Sequence, residues 1–144
     1  MRSVSASRTR TISSGAARIL EDIGVTAYSG AASMLKTPDI IAAAAGLLGA
    51  EAEHAAAIRT HIERLRIATT VMDGVDLVPR PSGDARKVLS VKVSDGLIAT
   101  RTAGEVLYLA FGAKADSKQG GFFPTGLNGT IVSSAEPAAA QIAA

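Results

Sequence analysis

The sequence predicts a mainly α-helical protein, built on an antiparallel helical hairpin and followed by an irregular C-terminal tail with one short strand and one short helix. Two stretches, at about 15–35 and 39–68, carry apolar residues at helical spacing. Only a short turn containing Thr37 and Pro38 separates them, so the two helices must pack antiparallel. Beyond residue 70 the helical period is lost and prolines and glycines become frequent.

The first helix is predicted from a stripe of apolar residues spaced four apart. This stripe consists of Ile19, Ile23, Ala27, Ala31 and Leu35. Gly24 and Gly30 interrupt the helix, and each costs about 1 kcal/mol relative to alanine. Glycine at both places therefore suggests that another backbone approaches this helix closely.

The second helix has a recognisable start. Thr37 can cap free amide groups, Pro38 suits the first helical position, and Asp39 is favoured at the positive end of the helix dipole. Helical spacing is then kept by Ile40, Ala44, Leu47, Leu48, Ala55, Ile58, Ile62 and Leu65. A lone hairpin would leave one side of this stripe exposed, so we expect the tail or a second copy of the chain to cover it.

The composition divides the chain into four segments. We expect a disordered basic arm at 1–14, the helical hairpin at 15–68, a C-terminal extension packed on the helices at 69–132 and a disordered tail at 133–144. The alternating stretch 88–93 predicts the short strand, because side chains of a strand alternate between its faces. In the same extension, Thr102 and Glu105 have the spacing of a capping box and predict the short helix after them.

Composition excludes several classes of function. There is no cysteine, so a disulfide or a thiolate metal site is excluded, and a metal would need carboxylates and the two histidines. The first eighteen residues carry four arginines without interleaved aromatic residues, and we expect no nucleic-acid partner. The apolar run 40–50 is about half a membrane span, and no export signal is visible, so we expect a cytoplasmic protein without a membrane partner.

A candidate metal motif lies within the second helix. Glu51 and His54 have Glu-x-x-His spacing, and three residues advance a helix by about 300°, so both side chains project from nearly one face. The motif alone is weak, since Glu51 could be solvated and His54 could lie at a boundary. Its position beside the apolar stripe favours a ligand role, because a buried unpaired carboxylate is costly.

The first helix offers a further donor at the same height. Equal counting from the turn places Glu21 roughly level with residue 52, although Glu21 and Asp22 could equally be surface charges. Tyr28 lies on nearly the same face as Glu21 and is better explained as a core tyrosine. His61 is better explained as a surface residue than as a ligand.

These stretches resemble a known family. The segments 21–32 and 51–59, with parts of the tail at 101–108 and 121–124, are similar to the C-terminal half of the ferritin-like domain family, of the desiccation-related type. The resemblance implies a four-helix bundle whose first two helices supply one further Glu and one further Glu-x-x-His. This chain lacks those two helices, which would make it a truncated member or a half-bundle that pairs with itself.

The resemblance also implies a function. Two copies of the hairpin would bring together two sets of Glu21, Glu51 and His54, enough for a di-iron or di-manganese centre in a homodimer. Oxidation of Fe(II) would follow only if dimerisation completes the site. The alternative is a non-enzymatic stress-related or structural helical protein without metal.

Overall fold

The computed structural model describes residues 2–76 and 95–138, with the backbone alone for 2–13. Its helices are α1 (Arg2–Ala31), α2 (Pro38–Leu65) and α3 (Ala103–Ala110), and a 3-10 turn, Ala32–Met34, follows α1. Helices α1 and α2 form the predicted hairpin, and the mainly helical fold is confirmed. The strand predicted at 88–93 lies outside the described residues.

Helix α1 begins well before its predicted start. It is helical from Arg2, whereas the sequence patterning predicted a start near Gly15 and a disordered arm over 1–14. No proline or glycine lies between Arg2 and Ser14. Each residue added to an existing helix gains a hydrogen bond, so α1 extends through a stretch that has no apolar period of its own.

The boundaries of α2 agree with the prediction within three residues, but one cap differs. Pro38 is the first helical residue, and Arg66 ends the helix in a left-handed conformation with φ of 51°. Thr37 occupies the N-cap position, but its side chain makes no capping hydrogen bond. The expected Thr37 cap is therefore wrong, and proline and Asp39 provide the start signal.

The contact face between α1 and α2 is more polar than the predicted stripe. The buried residues of this face are Arg18, Asp22, Val25 and Thr26 on α1 and Ala55, Arg59 and Ile62 on α2. The predicted apolar stripe of α1 is only half-buried. On α2, Ile40, Leu47 and Leu65 are exposed, so the hairpin leaves apolar surface uncovered, as expected for a helix pair without further helices against it.

A buried carboxylate, Asp22, joins the two helices. Arg59 Nε and Nη2 each donate to Asp22 over 2.9 Å, and Arg18 Nη1 donates over 3.1 Å. Arg18 also donates to Asp76 and to the carbonyl of Thr70, which ties the extension to α1. Of the two roles that the sequence left open for Asp22, a further metal donor or a surface charge, the surface charge is wrong, because Asp22 is buried against arginines of opposite charge.

A second buried ion pair, between Arg101 and Asp73, lies where the extension contacts α1. Arg101 donates to both carboxylate oxygens of Asp73, over 3.0 and 2.7 Å, and to the hydroxyl of Thr26. The backbone of Arg101 also bonds the carbonyl of Thr26 and lies against Gly30 so closely that a Cβ there would collide with the Arg101 carbonyl. The close approach predicted from Gly30 is therefore present.

The short helix α3 and the end of the chain pack against each other. Thr102 and Glu105 form the predicted capping box, with Thr102 N donating to Glu105 over 2.6 Å. Ser134 is buried and donates to the carbonyl of Lys114, and Ala135 N donates to the carbonyl of Gly104. Ser134 and Pro137 are buried, whereas the sequence predicted a disordered end from residue 133.

The aromatic residues of the extension form a small cluster. Phe111 is fully buried and meets Phe123 edge to face, with ring centroids 6.3 Å apart. Gly120 and Gly121 lie against the backbone at Phe111 and adopt positive φ, so side chains are excluded there. The segment around Gly120 and Gly121 therefore packs on α3, while Phe122 stays exposed.

We expect Asp22→Asn to lower the free energy of unfolding by about 3 to 5 kcal/mol, since Arg59 would stay buried without its counter-charge. Urea denaturation checks this. The double variant Asp22→Leu, Arg59→Met serves as the control, because it removes both charges together and should cost less than the single change. A loss below about 1 kcal/mol for Asp22→Asn would contradict the role given to this carboxylate.

Candidate metal centre

The structure brings together the three residues that the sequence singled out as ligands. Glu21 lies on α1, and Glu51 and His54 lie one turn apart on α2. One oxygen or nitrogen atom from each falls within 4.8 Å of the others. Glu21 on α1 therefore lies level with Glu51 and His54 on α2, as counting from the turn predicted.

Direct contacts link the members of this triad. His54 Nδ1 lies 3.3 Å from Glu21 Oε2, with His54 65% and Glu21 25% exposed at the side chain. The Glu51 carboxylate rests on α1 at Gly24, where a Cβ would come within 2.6 Å of Glu51 Oε2. The two carboxylates thus lie between the helices, and the imidazole closes the group from the solvent side.

The electrostatics of the triad favour a bound cation or a proton. Burial raises the pKa of the Glu51 carboxyl, and the hydrogen bond and negative charge of Glu21 raise this pKa further, while His54 partly opposes the shift. Two carboxylates this close repel each other when both are ionised. A cation between them would replace that repulsion with attraction.

The triad lies on one of two flanks of the hairpin. At about 100° per residue, Glu21 and Tyr28 project to one side of the buried stripe of α1, and Thr26 and Gly30 project to the other. Arg101 of the extension covers the Thr26 side. No described residue of the extension is seen to cover the other side, which we call the open flank. It comprises Glu21, Gly24, Tyr28, Ile40, Leu47, Glu51, His54 and Ile58.

The donor set fits a divalent transition metal. Bonds from such an ion to carboxylate oxygen or imidazole nitrogen are about 2.0 to 2.2 Å long, so two ligand atoms on one ion lie at most about 4.4 Å apart. Ligand atoms within 4.8 Å of one another need only small side-chain movements to reach that spacing. Mixed carboxylate and imidazole ligation suits iron and manganese.

Most of the helical hairpin is similar to a known protein family. Residues 5–64 match the ferritin-like domain. This ferritin-like segment comprises α1 from residue 5 and nearly all of α2, and it contains all three members of the triad. The remainder of the chain, including α3, lies outside the match. No curated protein and no solved structure matches the chain significantly.

Two further residues that the sequence raised as candidates are placed by the structure. Tyr28 is half-buried on the open flank of the ferritin-like segment, and His61 is exposed on α2. The triad found among the described side chains does not include either of them. Their preferred interpretations, a packing tyrosine and a surface histidine, agree with this exposure.

Sequence reasoning missed the ionic pairs that hold the triad's helices in register. For Asp22 the sequence suggested only a metal-donor role or a surface charge. A better signal was the spacing of Arg18, Asp22 and Thr26, three polar residues four apart on α1. Because i, i+4 residues share a helix face, three of them in a row indicate a polar contact face.

Helix α2 has one further property that bears on its surroundings. It is long and apolar enough to cross a membrane by length and composition, and only 6% of its most apolar window is buried. Three polar residues near the middle of α2, Glu51, Glu53 and His54, argue against a membrane span, because charged groups are costly at the centre of a bilayer.

We expect Glu51→Gln to stabilise the metal-free protein at neutral pH. A carboxyl whose folded pKa is raised above its ordinary 4.5 contributes stability that is present below pH 4.5 and lost as the pH rises through the raised value. The midpoint of urea unfolding should therefore fall from pH 4 to pH 7 less steeply in the variant than in the wild type, in the presence of a chelator.

The matched control for this measurement is Glu53→Gln, which removes an exposed carboxylate two residues away and outside the triad. Equal pH dependence in wild type and Glu51→Gln would contradict the raised pKa of Glu51, to which burial contributes most and Glu21 adds.

Proposed function

We propose that this protein is a ferritin-like metal-binding protein of the desiccation-related type, which holds iron, or manganese as the alternative, through Glu21, Glu51 and His54. The observation that carries the proposal is the convergence of these three ligand atoms to within 4.8 Å, across two helices. The match of the same helices to the ferritin-like domain supports it.

The protein's own residues supply three elements of such a site. Glu21 and Glu51 provide negative charge, which favours the higher oxidation state of iron, and His54 fixes a ligand direction from the solvent side. The Asp22 and Arg59 ion pair holds α1 and α2 in the register that brings the triad together. Bound Fe(II) would supply one-electron chemistry with oxygen, and this activity depends on completion of the site.

A homodimer is the second part of the proposal. One triad gives three ligands, and its imidazole is largely exposed, so one hairpin provides an open site. Pairing of two open flanks around a two-fold axis would place two triads opposite each other and bury Ile40 and Leu47. The resulting four carboxylates and two imidazoles are the set that carboxylate-bridged di-metal bundles use.

A protein without metal is the alternative. The buried pairs that join Asp22 to Arg59 and Asp73 to Arg101 hold the hairpin and the extension together without any ion. Such a fold would serve as a stress-related or structural helical module. A cytoplasmic location and the absence of nucleic-acid and membrane partners stay predictions from the sequence.

Metal content tests the first part of the proposal. Protein loaded with Fe(II) under nitrogen and passed through a desalting column should retain about one iron per chain, and the Glu51→Ala, His54→Ala double variant should retain less than about a tenth of that, because two of three ligands are gone. A Glu53→Ala, His61→Ala double variant is the matched control. Equal, negligible iron in wild type and triad variant would end the metal proposal.

Sedimentation tests the second part. The wild type should sediment as a dimer at micromolar concentration, and Leu47→Glu should shift it to the monomer, since a charge would be forced into the apolar interface. Leu97→Glu is the control, because Leu97 is 63% exposed in the extension and away from the open flank. A wild-type monomer that unfolds cooperatively would contradict self-pairing.

A further inference from the structure

The contact between Gly24 and Glu51 points to a role for a residue that carries no ligand atom. Gly24 lies in the interior of α1, where glycine is unfavourable, and its φ is not in the left-handed region. Its backbone conformation therefore does not require glycine. The three atoms nearest to such a Cβ all belong to the Glu51 carboxylate, with Oε2 at 2.6 Å and Cδ at 2.8 Å.

The Glu51 carboxylate occupies the space that any other residue at position 24 would fill. Because it is the end of a flexible side chain, a methyl group at position 24 would move it aside without disturbing the backbone. The movement would carry it away from the α1 surface on which it now rests, three residues from Glu21. The ligand spacing of 4.8 Å leaves little room for such a displacement.

We infer that Gly24 is a positioning residue for the proposed metal centre, because its missing side chain creates the recess that holds the Glu51 carboxylate beside Glu21 and His54. This inference rests on the proposed function and deepens it. Glycine stabilises a helix less than alanine does, and the space that the Glu51 carboxylate needs explains why glycine is present. Gly30, by comparison, is required by the Arg101 backbone and lies on the covered flank.

The two roles that glycine could have at this position predict opposite outcomes for Gly24→Ala. If Gly24 positions the carboxylate, alanine should weaken metal binding by about ten- to hundredfold, the usual loss when the support of a ligand is changed. The same change should leave the thermal unfolding midpoint equal to or above that of the wild type, because alanine favours the helix. A purely structural glycine would lower the midpoint and leave affinity unchanged.

The experiment is a titration of the full chain with Mn(II), in which the electron paramagnetic resonance signal of free Mn(II) reports binding. Gly15→Ala is the matched control, since Gly15 is also in α1 and a Cβ there meets nothing within 4 Å. We expect weaker Mn(II) binding by Gly24→Ala alone, with both variants melting no lower than the wild type.

The possible failures are separable. Binding by Gly24→Ala within about twofold of the wild type would overturn the positioning role and leave the metal centre standing. Equal weakening by Gly15→Ala would also overturn it, because the effect would then be a general response to alanine in α1. Absence of Mn(II) and Fe(II) binding by the wild type would overturn the proposed function itself, and this inference with it.

Discussion

The hairpin depends on a carboxylate that has almost no contact with water. Asp22 accepts hydrogen bonds from arginines on both helices, and one of these, Arg18, continues to Asp76 in the extension. Charges removed from water must be paired to be tolerated, and here three segments of chain meet at one group. The register between α1 and α2 follows from this pairing, and so does the attachment of the extension to α1.

The same register supports the proposed metal centre, because Asp22 and the candidate ligand Glu21 are adjacent residues of α1. Asp22 faces the interior of the hairpin, and Glu21, one residue earlier, projects toward the open flank. The ion pair with Arg59 fixes the height of α2 relative to α1, and Glu51 and His54 lie on the same helix as Arg59, eight and five residues before it. Rigid support of this kind keeps ligands close together even before a metal binds.

Much of the helical architecture could be predicted from the sequence because it depends on local signals. The hairpin turn, the capping box of α3 and the shared face of Glu51 and His54 each follow from short spacings. The level of Glu21 followed from counting along two helices. The early start of α1 could not be predicted, since its first residues lack an apolar period and continue the helix only by propagation.

The ionic contacts could not be predicted for a different reason. The partners are far apart in the chain: Arg18 lies 58 residues from Asp76, and Asp73 lies 28 residues from Arg101. A single sequence does not indicate which charged residues will meet in the interior. Apolar patterning also misplaced the contact face of α1, because three of its four buried residues are polar. Sequence patterning therefore located the candidate ligands but not the pairs that hold their helices together.

The asymmetry between the two flanks has a consequence for how many copies of this chain can associate. The extension occupies one side of the hairpin through Arg101 and Asp73, so that side is no longer free to receive another hairpin. A helix pair with two free sides could stack repeatedly and grow into a filament. Among the described residues only the other side is free, so the proposed pairing of two copies would occupy that side on both chains and would end as a closed dimer.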